Sequence, residues 1–144
     1  MVLKMVTQFF IDMVPPTHTA QEKGLSKTKT GKTYAYTKKE VSSDWDRVEC
    51  RIPERMFDTL TGAVELKTIF AYPRKDRHKE GEPKLTKPDG DNLVKPLKDI
   101  LTRCGYWKDD AQVFDEEVTR LYSDRPGIYV RIREVEWTSD GNMH

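Results

Sequence analysis

The chain has 144 residues, of which 34% are charged and 36% hydrophobic, and a formal net charge of +1. That length suits one domain, and the apolar residues fall in periodic runs, which excludes a chain disordered throughout. The longest stretch without Asp, Glu, Lys or Arg is residues 13–21, far short of the about 20 apolar residues that cross a bilayer, and MVLKMVTQFFIDMVPP is too short and too charged to read as a secretory signal.

Residues 5–13 alternate, with Met5, Thr7, Phe9, Ile11 and Met13 on one face, and predict a first strand stopped by Pro15-Pro16. Residues 17–36 are rich in Thr, Lys and Gly and have no apolar period, so a long loop is expected. A short helix is expected from Lys38 to about Glu49, ended by Pro53. Residues 64–72 alternate again through Val64, Leu66, Thr68, Phe70 and Tyr72, giving a second strand, and residues 73–88 form a second loop. Residues 91–104 make the clearest helix, closed by Gly105. A strand over residues 111–122 sets Phe114, Val118 and Tyr122 on one face, and Ser123-Asp124-Arg125-Pro126-Gly127 is a turn. In the last strand Ile128, Val130 and Ile132 face one way, Tyr129, Arg131 and Arg133 the other. The nearness of these two strands predicts a hairpin. Residues 1–137 thus form one α/β (α+β) domain, a mixed sheet of about four strands with two main helices. A frayed tail is expected over residues 138–144.

Charge is uneven along this chain. Residues 21–40 hold six Lys and two Glu, residues 71–88 six Lys or Arg and three acids, and residues 109–124 six acids and one Arg. Two basic loops and one acidic cluster suit a protein that attracts an anion and also needs carboxylates, although solvated loops are commonly charged. Cys50 and Cys104 make neither a disulfide framework nor a metal motif, and His18, His78 and His144 are scattered, against a zinc site. A reduced, intracellular protein is expected, with Cys104 a buried free thiol.

The informative stretch is Lys87-Pro88-Asp89-Gly90-Asp91-Asn92-Leu93-Val94-Lys95. Pro88 and Gly90 are expected to hold off the helix until Asp91 or Asn92, either a good N-cap. Leu93, Leu97, Ile100, Leu101 and Cys104 then share one face, and Asp91, Lys95, Lys98, Asp99 and Thr102 lie opposite. Asp89 and Asp91 are two apart and point the same way in extended backbone. Two carboxylates and an ammonium therefore converge on a helix N-terminus, which itself favours anions. Taken alone, these residues also serve as cap, dipole complement and i,i+4 pair.

Further on, Gly105-Tyr106-Trp107-Lys108-Asp109-Asp110-Ala111-Gln112-Val113 supplies a second acidic pair, which also suits a polar turn. If the following strand returns beside the start of the helix, Asp110 approaches Asp89 and Asp91. Three crowded carboxylates repel unless a cation joins them, and oxygen-only ligands select Mg²⁺ or Mn²⁺.

These motifs, in this order, resemble the RusA family of Holliday-junction resolvases, endodeoxyribonucleases common in phages and prophages. The likeness runs through residues 87–95, Asp99, residues 105–113 and Asp124-Arg125-Pro126-Gly127-Ile128-Tyr129-Val130. It extends to Val14-Pro15-Pro16-Thr17, Gln21-Glu22-Lys23, Gly31-Lys32 and Tyr36, and is thin over residues 37–62. The resemblance implies a RusA-like fold. It further implies Asp89, Asp91 and Asp110 as catalytic metal-binding acids, Lys95 as the essential basic residue beside them, and Asp109 and Asn92 as weaker members. It implies Mg²⁺, or Mn²⁺, as cofactor, a four-way DNA junction as substrate, a homodimer, no membrane, and a cytoplasmic place in a bacterial host or as a phage product. Lys23, Lys27, Lys29 and Lys32, then Arg74, Lys75, Arg77 and Lys79, are the candidates for gripping phosphates. Trp107 is either core or a DNA-facing ring. Pro96, inside the helix, removes a hydrogen bond and is expected to disturb its geometry. Two other readings stand beside this one: a non-catalytic DNA-binding module, and a nuclease of the same fold acting on other branched or flap DNA.

Overall fold

The computed structural model describes residues 1–17, 25–27, 33–35 and 38–139. Along the chain these form β1 (Val2–Ile11), β2 (Leu25–Lys27), β3 (Thr33–Ala35), α1 (Lys38–Arg51), β4 (Ala63–Pro73), α2 (Gly90–Arg103), a single 3-10 turn (Asp110–Gln112), β5 (Val113–Ser123) and β6 (Gly127–Glu136). Four strands make one sheet in the order β1-β6-β4-β5. β1 and β4 each run antiparallel to β6, and β5 runs parallel to β4, so the sheet is mixed, as expected.

Alternation sorts the strand side chains correctly. Ile11, Val64, Leu66, Thr68, Phe70, Ile128, Val130 and Ile132 are buried, while Lys4, Val6, Gln8 and Phe10 of β1 remain exposed. The helix α2 lays Leu93, Val94, Leu97, Ile100 and Leu101 into the same core, and α1 adds Trp45 and Val48. At Gly90 a Cβ would stand 3.2 Å from Val118 Cγ1. A bare residue there lets the first turn of α2 sit directly on β5. The helix runs on through Pro96, which has no amide for the carbonyl of Asn92. It closes with Gly105 at φ 82, whose amide donates to the Thr102 carbonyl while that of Tyr106 donates to Leu101. This pair of hydrogen bonds is a Schellman cap, which needs a left-handed residue at that point.

Four expectations need correction. β5 and β6 are not a hairpin, because β4 lies between them and bonds to both. A tight turn at residues 124–126 allows adjacency but does not impose it. β4 and β6, each with six buried positions, take the two central places, and Pro73, which has no amide, ends β4. Phe114 does not share the inner face with Val118 and Tyr122. The register shifts between Val64 and Glu65, so Val113 packs on the core and Phe114 is exposed. Within residues 17–36, Leu25 pairs with Ala35, Ser26 with Tyr34 and Lys27 with Thr33. Strands of three residues are too short to show a period. Finally, Cys104 is half-buried and Cys50 exposed, both free. Among the described residues no helix is long and apolar enough to cross a membrane.

Candidate active site

The chain reaches α2 through a segment stitched to the edge of β5. The amide of Lys84 donates to the Arg120 carbonyl at 3.0 Å, and Lys84 Nζ donates to Thr86 Oγ1 at 2.7 Å. One nitrogen of Arg120, Nη1, donates to the carbonyls of Thr86 at 2.8 Å and Pro88 at 3.1 Å. The peptide Lys87-Pro88 is cis. Its far side is Asp89, which is the N-cap in place of the expected Asp91 or Asn92. Gly90 and Asp91 already belong to the helix, because Asp89 takes up the extended conformation (φ −71°, ψ 157°) that a cap residue needs. Its side chain caps nothing. Among the described residues neither Asp89 nor Asp91 has a side-chain hydrogen bond or ion pair. Two unpartnered, exposed carboxylates thus stand at the positive end of a helix.

At the other end of α2 the carboxylates are held. Asp109 caps the 3-10 turn: its side chain accepts from the Ala111 amide, and Gln112 Oε1 accepts from the amides of Lys108 and Asp109 at 2.9 Å. That box fixes Asp110 beside the helix. Thr102 Oγ1 donates to Asp110 Oδ1 in a short hydrogen bond. Trp107 Nε1 donates to Thr102 Oγ1 at 2.8 Å and reaches Asp110 Oδ1 at 3.3 Å. Asp99 shares a hydrogen bond with Asp110. Burial, that bond and the neighbouring charge push the Asp99 carboxyl up, against the pull of Lys95 and Arg103. Burial also pushes the Asp110 carboxyl up, but the bonds from Thr102, Trp107 and Asp99, with the charge of Lys98, outweigh it and hold it low. Of the pair, Asp99 is therefore the carboxyl whose protonated form is favoured and Asp110 the one whose charged form is favoured. Asp99, Thr102, Arg103, Lys108, Asp109 and Asp110 line an open cavity of about 370 Å³.

The expected residues therefore fall into two groups on one exposed side of α2. From Asp91 to Asp99 is eight residues, or about 12 Å of helix rise, with Lys95 halfway. Lys95 forms no ion pair with Asp91 among the described residues, and its charge acts on Asp99. Asn92 is half-exposed, with its amide bonded to the Asp89 carbonyl. All the acids are hard oxygen donors, suited to Mg²⁺ or Mn²⁺. Yet among the described residues no three of Asp, Glu, His and Cys stand close enough to hold one ion. A single chain does not bring Asp110 to Asp89 and Asp91.

Of the basic candidates, Lys23, Lys29 and Lys32 lie outside the described residues, and Lys27 ends β2. Arg74 is committed internally, to Asp124 at 2.9 Å and the His78 carbonyl at 2.6 Å. Lys75, Arg77 and Lys79 are exposed. Sequence reasoning placed Asp99 and Thr102 on the right helix face but gave them no role. A Thr one turn and a half before a Trp is an available signal only once Gly105 is seen to fold the chain back. Trp107 is core, at 1% exposure, with its indole N–H turned toward the site.

Comparison with known proteins places the chain in a family. The family model "Endodeoxyribonuclease RusA" matches residues 14–133. A crossover junction endodeoxyribonuclease of Lactococcus phage r1t is 28% identical over 135 residues, covering 92% of this chain and all of that one. The uncharacterized protein YqaN of Bacillus subtilis is 54% identical over 50 residues, about a third of each chain (35% and 34%). The crossover junction endodeoxyribonuclease RusA of Escherichia coli K12 is 43% identical over 52 residues, 36% of this chain and 43% of its own.

Proposed function

This chain belongs to the RusA family of endodeoxyribonucleases, and from that premise we propose that it is a metal-dependent, structure-selective endodeoxyribonuclease that resolves four-way DNA junctions. The observation that carries this reading is the family match across residues 14–133, which takes in Asp89, Asp91, Lys95 and Asp110. The match to the phage enzyme over its whole length supports the same activity.

Phosphodiester hydrolysis needs a water nucleophile, in-line geometry and neutralisation of charge on the phosphoryl oxygens. Asp89 and Asp91 at one end of α2 and Asp110 at the other would serve as Mg²⁺ ligands, without all three meeting on one ion within the single chain; the metal when bound would supply an acidified water and offset that charge. The rest falls to the chain's own groups. Among the described residues Asp89 and Asp91 have no side-chain partner and so are available as ligands without breaking a bond there. Lys95, between the two acidic groups, is placed to hold the scissile phosphate or stabilise the leaving oxygen as DNA lies along this side of α2. Lys75, Arg77 and Lys79, with Lys23, Lys27, Lys29 and Lys32, would grip the backbone without reading sequence, so binding would weaken steeply with salt. A homodimer would present two sites to two opposed strands and cut them as a symmetric pair.

The test is cleavage of a synthetic four-way junction, with linear duplex as control, with and without Mg²⁺, by wild type and Asp110→Asn. Paired symmetric nicks are expected from wild type alone and only with metal, with junction binding retained by the variant. Binding without cutting under every metal tried would leave a DNA-binding module instead.

A further inference from the structure

Among the described residues, Asp110 is the one member of the proposed ligand set whose carboxylate is gripped by protein donors. Two donors converge on a single oxygen, Oδ1: the Thr102 hydroxyl and the Trp107 indole N–H at 3.3 Å. The indole also donates to Thr102 Oγ1 at 2.8 Å, and that oxygen lies 2.9 Å from the Lys98 carbonyl. Neither donor is free to drift. Trp107 is 1% exposed, and its backbone forms a parallel bridge with Leu60. Thr102 sits in the last turn of α2, under the cap made by Gly105 and Tyr106. A carboxylate fixed through one oxygen by two immobile donors cannot rotate, so its orientation is set before any ligand arrives.

We infer that Thr102 and Trp107 are positioning residues for Asp110, forming a hydrogen-bonded support that orients its carboxylate for the reaction. A buried Trp in this role needs its N–H, and its ring alone would suffice for packing. The inference rests on the proposed role of Asp110, and the test separates the two.

Junction cleavage is measured for Asp110→Asn, Thr102→Val, Thr102→Ser and Trp107→Phe, with circular dichroism as the check on folding. Thr102→Val keeps the side-chain shape and removes the donor. It is expected to lower kcat by about 10- to 100-fold, the range for lost supports of this kind, with KM for the junction unchanged. Thr102→Ser is expected to restore most of the rate. Trp107→Phe keeps an aromatic ring and is expected to lower kcat less, since the indole reaches Asp110 at the longer distance. In metal-free protein, the indole N–H proton resonance of Trp107 is expected to move in both Asp110→Asn and Thr102→Val. Wild-type cleavage by Asp110→Asn would overturn the role of Asp110 and this inference with it. Loss of cleavage in Asp110→Asn with wild-type kcat in Thr102→Val and Trp107→Phe would overturn the inference alone. Should Thr102→Val fail to fold, Trp107→Phe and the resonance shift in Asp110→Asn decide the matter.

Discussion

The two ends of α2 carry the same chemistry in opposite states. At the N-terminal end Asp89 and Asp91 are exposed and, among the described residues, unpartnered; what is held there is the backbone that delivers them, through Arg120 and the carbonyls of Thr86 and Pro88. At the C-terminal end Asp110 is held by its own side-chain atoms, through Thr102 and Trp107, beside Asp99. A carboxylate anchored by its backbone can turn toward an ion, whereas one anchored by its oxygens must already point the right way. Substitutions at the two ends should therefore fail differently.

The largest expected contrast comes from Asp91→Asn. Cleavage should fall by more than about 100-fold, beyond the loss typical of a supporting residue, while the thermal midpoint stays almost unchanged because no protein partner is removed. Asp110→Asn should abolish cleavage and lower the midpoint as well. Equal midpoints for the two variants would erase the distinction. Next comes Arg120→Met, which removes a charged donor from two carbonyls. A loss of about 1.5–3 kcal/mol is expected, read by urea denaturation, together with slower cleavage. The Trp107 indole resonance should not move, and movement would mean the two ends are coupled.

A smaller effect is expected in the loop that leads to the N-terminal end. Changing Lys75, Arg77 and Lys79 to Ala should reduce the dependence of log K on log salt by about 0.9 for each phosphate left without its cation. An unchanged slope would take this loop off the DNA surface. The smallest effect concerns Asp99. Its carboxyl is raised in the folded state, so folding favours the protonated form, and the stability this provides at low pH is lost as pH rises from the ordinary carboxylate value through the raised one. Asp99→Asn should thus be slightly more stable than wild type above that window and not below it, as thermal melts at about pH 3 and about pH 7.5 would reveal. Parallel curves would mean that Asp99 is not raised.

Much of this arrangement was legible in the chain itself. Burial periods exposed β1, β4, β6 and α2, because each has one wet and one dry face. Sheet order was not, since the turn at residues 124–126 looks alike whether its strands touch or straddle a third. The distance between Asp91 and Asp110 was hidden for a related reason: it depends on which half of β5 lies beside which end of α2. Asp99 and Thr102 read as solvated helix positions, and only the fold of residues 105–110 back onto the helix gives them partners. Asp89 and Asp91, by contrast, needed only Pro88, Gly90 and the helix start.

The outer edge of β5 bears on how copies of this molecule behave in a crowded solution. Residues 81–84 run along the later half of that outer strand: the amide of Gly81 donates to the Tyr122 carbonyl, that of Tyr122 to Glu82, and Pro83 bridges to Leu121. Its earlier half has no such cover among the described residues, and there the chain sets Asp115, Glu116 and Glu117 in succession beside a register shift. An uncovered strand edge invites another chain to add itself as the next strand, and a run of like charges with a kink discourages that addition. Glu116 pairs with Lys98 at 2.8 Å and Glu117 with Lys67 at 3.7 Å, so charge along this edge comes in both signs; neutralising residues 115–117 would be expected to make the edge more prone to aggregation.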